Sequence, residues 1–122
     1  YRMAPGKVEL LVDARNIYFD LETAIPCGLI VNELVSNSLK YAFPGDKYGT
    51  VQISINELQK GNYILIVKDD GVGLPKNLNP EKESSLGLKL VSSLVRQIEG
   101  EMRVTNEIGV NYEISFSITK NE

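Results

Sequence analysis

The sequence predicts an α+β fold, a two-layer α/β sandwich whose mixed, mostly antiparallel sheet is covered on one face by helices. Segments of period-two alternation outnumber those of helical period. They come largely in pairs joined by tight turns rather than by crossovers. Two helical stretches with an apolar side interrupt them and supply the second layer.

The elements follow in order. Val8, Leu10 and Val12, a polar turn at Ala14-Arg15-Asn16, then Ile17, Phe19 and Leu21 alternate on both sides of the turn and predict a short hairpin. From Glu22 to Phe43 apolar positions recur at helical spacing. Thr23 is available as a cap, Pro26 is tolerable in a first turn, and Pro44-Gly45 stops the run. Val51, Ile53 and Ile55 alternate with polar residues, and Gly61-Asn62 turns the chain into the apolar run Tyr63 to Val67, a more buried strand. Leu86, Leu90, Val91, Leu94, Val95 and Ile98 predict one face of a second helix, capped by Ser84 or Ser85 and ended by Gly100. Met102 and Val104, then Tyr112, Ile114, Phe116 and Ile118, close the chain as two strands around Gly109.

With 122 residues and 43% hydrophobic content, residues 1–122 make one domain able to bury a core without disulfides or metals. A formal charge of -3 provides no basic field for nucleic acid or an anionic membrane. No apolar run is long enough to span a bilayer, and the amino terminus has no signal-peptide core, so a soluble, cytoplasmic domain is expected. The lone Cys27 reads as a small buried residue. The absence of histidine excludes Ser-His-Asp and Cys-His catalysis and the usual zinc sites. Chemistry here must use carboxylates, amides, lysines, backbone groups or a bound ion.

Three stretches carry candidate chemistry. On the long helix, Glu33, Asn37, Lys40 and Tyr41 fall within about a third of the circumference. Ala24, Gly28, Val31, Val35, Leu39 and Ala42 lie roughly opposite and are expected to pack on the sheet. Leu29, Ile30 and Leu34 border the polar stripe, an arrangement that suits a cleft better than a solvated surface. Glu33 and Asn37, one turn apart, can offer oxygen ligands to a hard cation such as Mg²⁺, and Lys40 can meet a phosphate oxygen. The plain alternative is an exposed helix face with a weak Glu-Lys contact.

In "VKDDGVGLP", Gly71 and Gly73 lead into a polar loop rather than a paired strand, so they allow positive φ or close approach of the backbone to a flat ligand. Asp69, ending the buried strand, needs a donor, and an exocyclic amine such as that of adenine suits it. The alternative is a turn that Asp69 caps through its own backbone. In "SSLGLKLV", the start of the second helix presents amides to which phosphate binds readily, although ordinary capping would look the same. The segment from Pro75 to Glu83, polar and flanked by glycines, has the features of a mobile lid.

Together, "NELVSNSLKYAF", "DDGVG" and "SLGLKLV" resemble the N box and the two glycine boxes of sensor histidine kinase ATP-binding domains. These belong to the superfamily of gyrase, the ninety-kilodalton heat-shock chaperone and the mismatch-repair ATPases, and the match is to the short-lid subfamily. The resemblance covers essentially the whole chain and implies a Bergerat-type fold binding ATP and Mg²⁺. It implies that Asn37 coordinates Mg²⁺ with Glu33 assisting, that Lys40 meets phosphate, and that Tyr41 lies against adenine or ribose. Asp69 would accept the adenine amine, Gly71 and Gly73 would shape the pocket, and Leu74 would touch the nucleotide. Ser85 and the amides of Leu86, Gly87 and Leu88 would hold phosphate. The Gly-Gly-Thr segment common in the family is replaced by "GVNYEI", which places Asn111 at the threonine position.

The implied function is that of the catalytic part of a larger sensor kinase. It would donate the γ-phosphate of ATP to a histidine on a separate dimerisation domain of the same protein, for passage to a response-regulator receiver domain. The abrupt "YRMAPGK" start fits an excised domain. Neither nucleic acid nor direct membrane contact is expected. An anti-sigma-factor-type serine kinase, a non-catalytic nucleotide-binding module and an α/β domain with coincidental boxes are the competing readings.

Overall fold

The computed structural model describes residues 8–45, 48–73 and 86–118. The elements are β1 (Val8–Asp13), α1 (Leu21–Tyr41), β2 (Gly49–Gln59), β3 (Asn62–Asp69), α2 (Leu86–Gln97), β4 (Glu101–Glu107) and β5 (Gly109–Ser117). The five strands form one sheet in the order β1-β2-β3-β5-β4. All neighbours are antiparallel except β1 and β2, which run parallel in the register Val8↔Gly49 to Asp13↔Ser54.

Alternation decides which side chains face the helices. Val51 and Ile53 of β2, Tyr63, Leu65 and Val67 of β3, and Val110, Tyr112, Ile114 and Phe116 of β5 are all buried. They meet Cys27, Ile30 and Leu34 of α1 and Leu88, Val91, Leu94 and Val95 of α2 in one core. Burying each large apolar side chain contributes about 1.5–3 kcal/mol, so this layer contact is what holds helices to sheet. On the other side, Gln52, Lys68 and Ser115 are exposed. The expected sandwich, with helices on one face of a mostly antiparallel sheet, is the observed one.

Four local expectations need correction. The amino-terminal hairpin is absent: after a turn in which Asn16 has φ 58°, residues 17–20 lead into the helix without joining the sheet. The alternation there is real but has another cause. Ile17 and Phe19 pack on the core, and Phe19 meets Tyr63 and Phe116 edge-on at ring separations of 5.0 and 5.7 Å. Leu21, the third member of the pattern, is 73% exposed.

The cap of α1 is Asp20, not Thr23; its carboxylate accepts from the Thr23 amide at 3.1 Å. The helix therefore starts earlier than expected and Pro26 falls beyond the first turn, where it removes the amide that would pair with the Glu22 carbonyl.

The core face of α1 is also rotated from the expected one. Ile30 and Leu34 are fully buried rather than marginal, while Gly28 is exposed and Ala24, Val31 and Leu39 are only half-buried. On α2, Leu88 takes the core position expected of Leu90, which is 42% exposed.

Candidate nucleotide site

The rotation of α1 has a direct consequence for the polar stripe. Its residues do not share one environment: Asn37 is buried, Glu33 half-buried, and Lys40 and Tyr41 are exposed. Asn37 is carried into the sheet-facing side beside Ser38, which places two polar side chains against the ends of β3 and β5. There Asn37, Ser38, Tyr41, Ala42, Asp69, Gly73, Val110 and Tyr112 line a narrow recess with no room for a water molecule.

Asp69 is the hub of this recess and is 7% exposed. Its Oδ2 accepts from Ser38 Oγ at 2.8 Å, and its Oδ1 accepts from the amides of Gly71 at 3.0 Å and Val110 at 3.3 Å. The Gly71 contact is the local turn that competed with the ligand reading, and the two are compatible. A carboxylate has roughly four acceptor positions, and the described residues take three, leaving one on Oδ2.

The two glycines of "DDGVG" serve different ends. A Cβ on Gly71 would lie 2.3 Å from the Ala42 carbonyl oxygen, so this position requires a bare backbone as the chain crosses the end of α1. The Val72 amide donates to that same carbonyl at 2.9 Å. Gly73 adopts φ 84°, a conformation that favours glycine, with Asn106 Oδ1 where its Cβ would project. Gly109, expected as the turn between the closing strands, also lies so close to the Asp69 carbonyl that a Cβ would sit 2.1 Å from it.

At the other end of the stripe, Glu33 reaches the start of α2. A Cβ on Gly87 would come within 2.9 Å of Glu33 Oε2, so carboxylate and helix terminus adjoin. Leu86, Gly87 and Leu88 form the first turn, and the Leu88 side chain is buried in the core. Leu74, Ser85 and the lid expected over 75–83 lie outside the described residues.

Asn111, at the family's threonine position and so a candidate donor to Asp69 or to water, is turned away from Asp69. It pairs with Lys68 and Thr105 in the sheet, and alternation turns it away from the helices, opposite in sense to Val110 and Tyr112. The Val110 amide, not the Asn111 side chain, reaches Asp69.

Sequence reasoning missed Ser38 and Tyr112. Ser38, a hydroxyl beside Asn37 in an otherwise apolar helix, was a detectable signal. Tyr112 looked like one more core aromatic. It is 1% exposed, yet no described group meets its hydroxyl in hydrogen-bonding geometry. Burial pushes that hydroxyl up to about 12, opposed by the nearby Asn37 amide and reinforced by the Asp69 carboxylate.

Among the described residues no three of His, Cys, Asp and Glu converge on a point. The described residues therefore offer no closed metal shell. The donors available are the oxygens of Asn37 and Glu33, a turn apart, which suits a cation that keeps water and phosphate as its other ligands. No described helix is long and apolar enough to cross a membrane.

The family described as histidine kinase-, DNA gyrase B-, and HSP90-like ATPase matches residues 23–122, which span the whole recess. The chain belongs to this family. Membership makes it an ATP-binding domain. Among curated proteins it is 32% identical over 100 residues to blue-light-activated histidine kinase 2 of Erythrobacter litoralis, a match covering 82% of this chain and 29% of that protein. It is 34% identical over 96 residues to the sensor histidine kinase PdtaS of Mycobacterium tuberculosis, covering 75% of this chain and 19% of that one. The chain thus spans less than a third of these relatives. Among solved structures, the histidine kinase domain of the Erythrobacter litoralis EL346 blue-light activated kinase superposes with a TM-score of 0.86 at 30% identity, over 92% of this chain and 52% of that one. The Acinetobacter baumannii histidine kinase AdeS, at 21% identity and a TM-score of 0.72, shares the fold.

Proposed function

We propose that this chain is the catalytic domain of a two-component sensor histidine kinase, holding Mg-ATP and donating its γ-phosphate to a histidine on a separate dimerisation domain of the same protein. From there the phosphoryl group passes to an aspartate of a response-regulator receiver domain. The chain has no histidine of its own, so the acceptor lies elsewhere. The relatives named as sensor histidine kinases support the reading, and the work is placed in the cytoplasm, where ATP is available.

The observation that carries it is the spare acceptor on Asp69, a buried carboxylate in a recess that it shares with Asn37, Ser38, Tyr41 and Tyr112. An adenine amine donates to that oxygen, Gly71 and Gly73 let the backbone approach the base, and Tyr41 covers base or ribose. Asn37 with Glu33 would hold Mg²⁺, which would supply neutralisation of phosphate charge. Lys40 and the first amides of α2 hold phosphate. Leu74 and Ser85 are assigned to the nucleotide by family resemblance.

Calorimetric titration with ATP and GTP tests the base pocket. Guanine presents an acceptor carbonyl where adenine presents an amine, so GTP is expected to bind at least about ten-fold more weakly. Equal affinities contradict the role of Asp69. Transfer is tested on the parent protein with γ-labelled ATP. Label lost in acid and kept in alkali marks phosphohistidine, whereas acid-stable label assigns the domain to a serine kinase.

A further inference from the structure

We infer that Tyr112 is a positioning residue that sets the orientation of the Asn37 side-chain amide, and through it the binding of the divalent cation. The inference rests on the reading of Asn37 as a metal ligand. An asparagine can serve as such a ligand only through Oδ1; rotated half a turn, it presents an NH₂ group that repels a cation. Something must therefore hold Nδ2 away from the cleft. Asn37 and Tyr112 line the same recess, and the Tyr112 hydroxyl is buried without a described partner.

Two features suit that hydroxyl to the task. Tyr112 sits on β5 between β3 and β4, in register with Val67 and Val104, so its ring is anchored by two ladders. Asp69 also lines the recess, and its carboxylate favours the hydroxyl proton pointing toward it. The oxygen lone pairs are then left to accept from Asn37 Nδ2. With Nδ2 engaged, Oδ1 faces the cleft.

Tyr112→Phe removes one oxygen and keeps the ring, so it tests this role without opening a cavity. The measurement is ADP affinity by calorimetry with saturating Mg²⁺ and again in EDTA, with thermal melting as a folding control. The variant is expected to bind ADP in EDTA within about two-fold of wild type while the Mg²⁺-dependent gain in affinity falls about three- to ten-fold, the scale of one neutral hydrogen bond.

In an Asn37→Asp background both terminal atoms are oxygens and no orientation is needed. There, Tyr112→Phe is expected to leave the Mg²⁺ gain unchanged. An undiminished gain in Tyr112→Phe alone overturns the inference, as does an equal loss in both backgrounds, which marks general disruption of the recess. Asn37→Ala separates the two levels of argument. If it keeps the full Mg²⁺ gain, the metal-ligand reading fails and this inference with it; if it loses the gain while Tyr112→Phe does not, only the positioning role is refuted.

Discussion

Asp69→Asn separates scaffold from ligand contact, because the two carboxylate oxygens have different duties. Oδ1 accepts two backbone amides, from Gly71 and Val110, while Oδ2 accepts one hydroxyl and keeps a free position. An amide at this position keeps its oxygen on the two backbone donors, since the opposite rotamer would set NH₂ against both. The NH₂ then replaces Oδ2. Ser38 can reverse its hydroxyl and accept, so folding stability should fall by only about 1 kcal/mol. Toward the nucleotide, an acceptor has become a donor. Losing a hydrogen bond to a charged acceptor costs about 1.5–3 kcal/mol, which weakens ATP binding about 10- to 150-fold. GTP, with its acceptor carbonyl, should lose less or gain. The assay is calorimetric titration of both nucleotides alongside thermal melting. A variant that melts like wild type and binds ATP within about three-fold of it would refute the claim that Asp69 reads the base, leaving it as a turn-capping residue.

The glycines give an opposed pair. Gly71→Ala places a methyl against the Ala42 backbone, which no rotamer relieves, and should cost more than about 2 kcal/mol by urea unfolding. Gly28→Ala, on an exposed turn of α1 with no described atom within 4 Å, should stabilise by about 0.5–1 kcal/mol. Asp20→Ala removes the α1 cap and should cost about 1 kcal/mol in the same assay, with Asp20→Asn recovering most of it. Cys27 gives a pH dependence. Burial raises its thiol from 9.0 to about 11, so between those values the folded protein keeps a proton that the unfolded chain releases. Stability should therefore fall as pH rises from about 9 to 11, by at most about 1.4 kcal/mol per pH unit, and Cys27→Ala should flatten that slope in pH-dependent melts.

Much of the site was legible because it is locally encoded. Glu33, Asn37 and Tyr41 sit on a helix whose period is written in its apolar residues, and Asp69 ends a strand whose burial is written in the run Tyr63 to Val67. The positive φ at Gly73 followed from a glycine pair that no hairpin explained, whereas the close approach seen at Gly71 is to the Ala42 backbone rather than to a ligand. These are properties of a few neighbouring residues, and the sequence by itself determined them.

What the tertiary structure decided is pairing and direction. Whether residues 17–21 pair with β1 or lead into α1 depends on β2, nearly thirty residues away, offering β1 a parallel partner. Which side of α1 faces the sheet depends on the surfaces it meets, and a rotation about its axis buried Asn37 and brought Ser38 onto Asp69. In β5 a shift of one residue changes faces, so Asn111 points away while Tyr112 points into the recess. Periodicity is set by backbone geometry within a segment. The choice of face and partner is set by burial of surface across the whole chain, and that cannot be read until the segments meet.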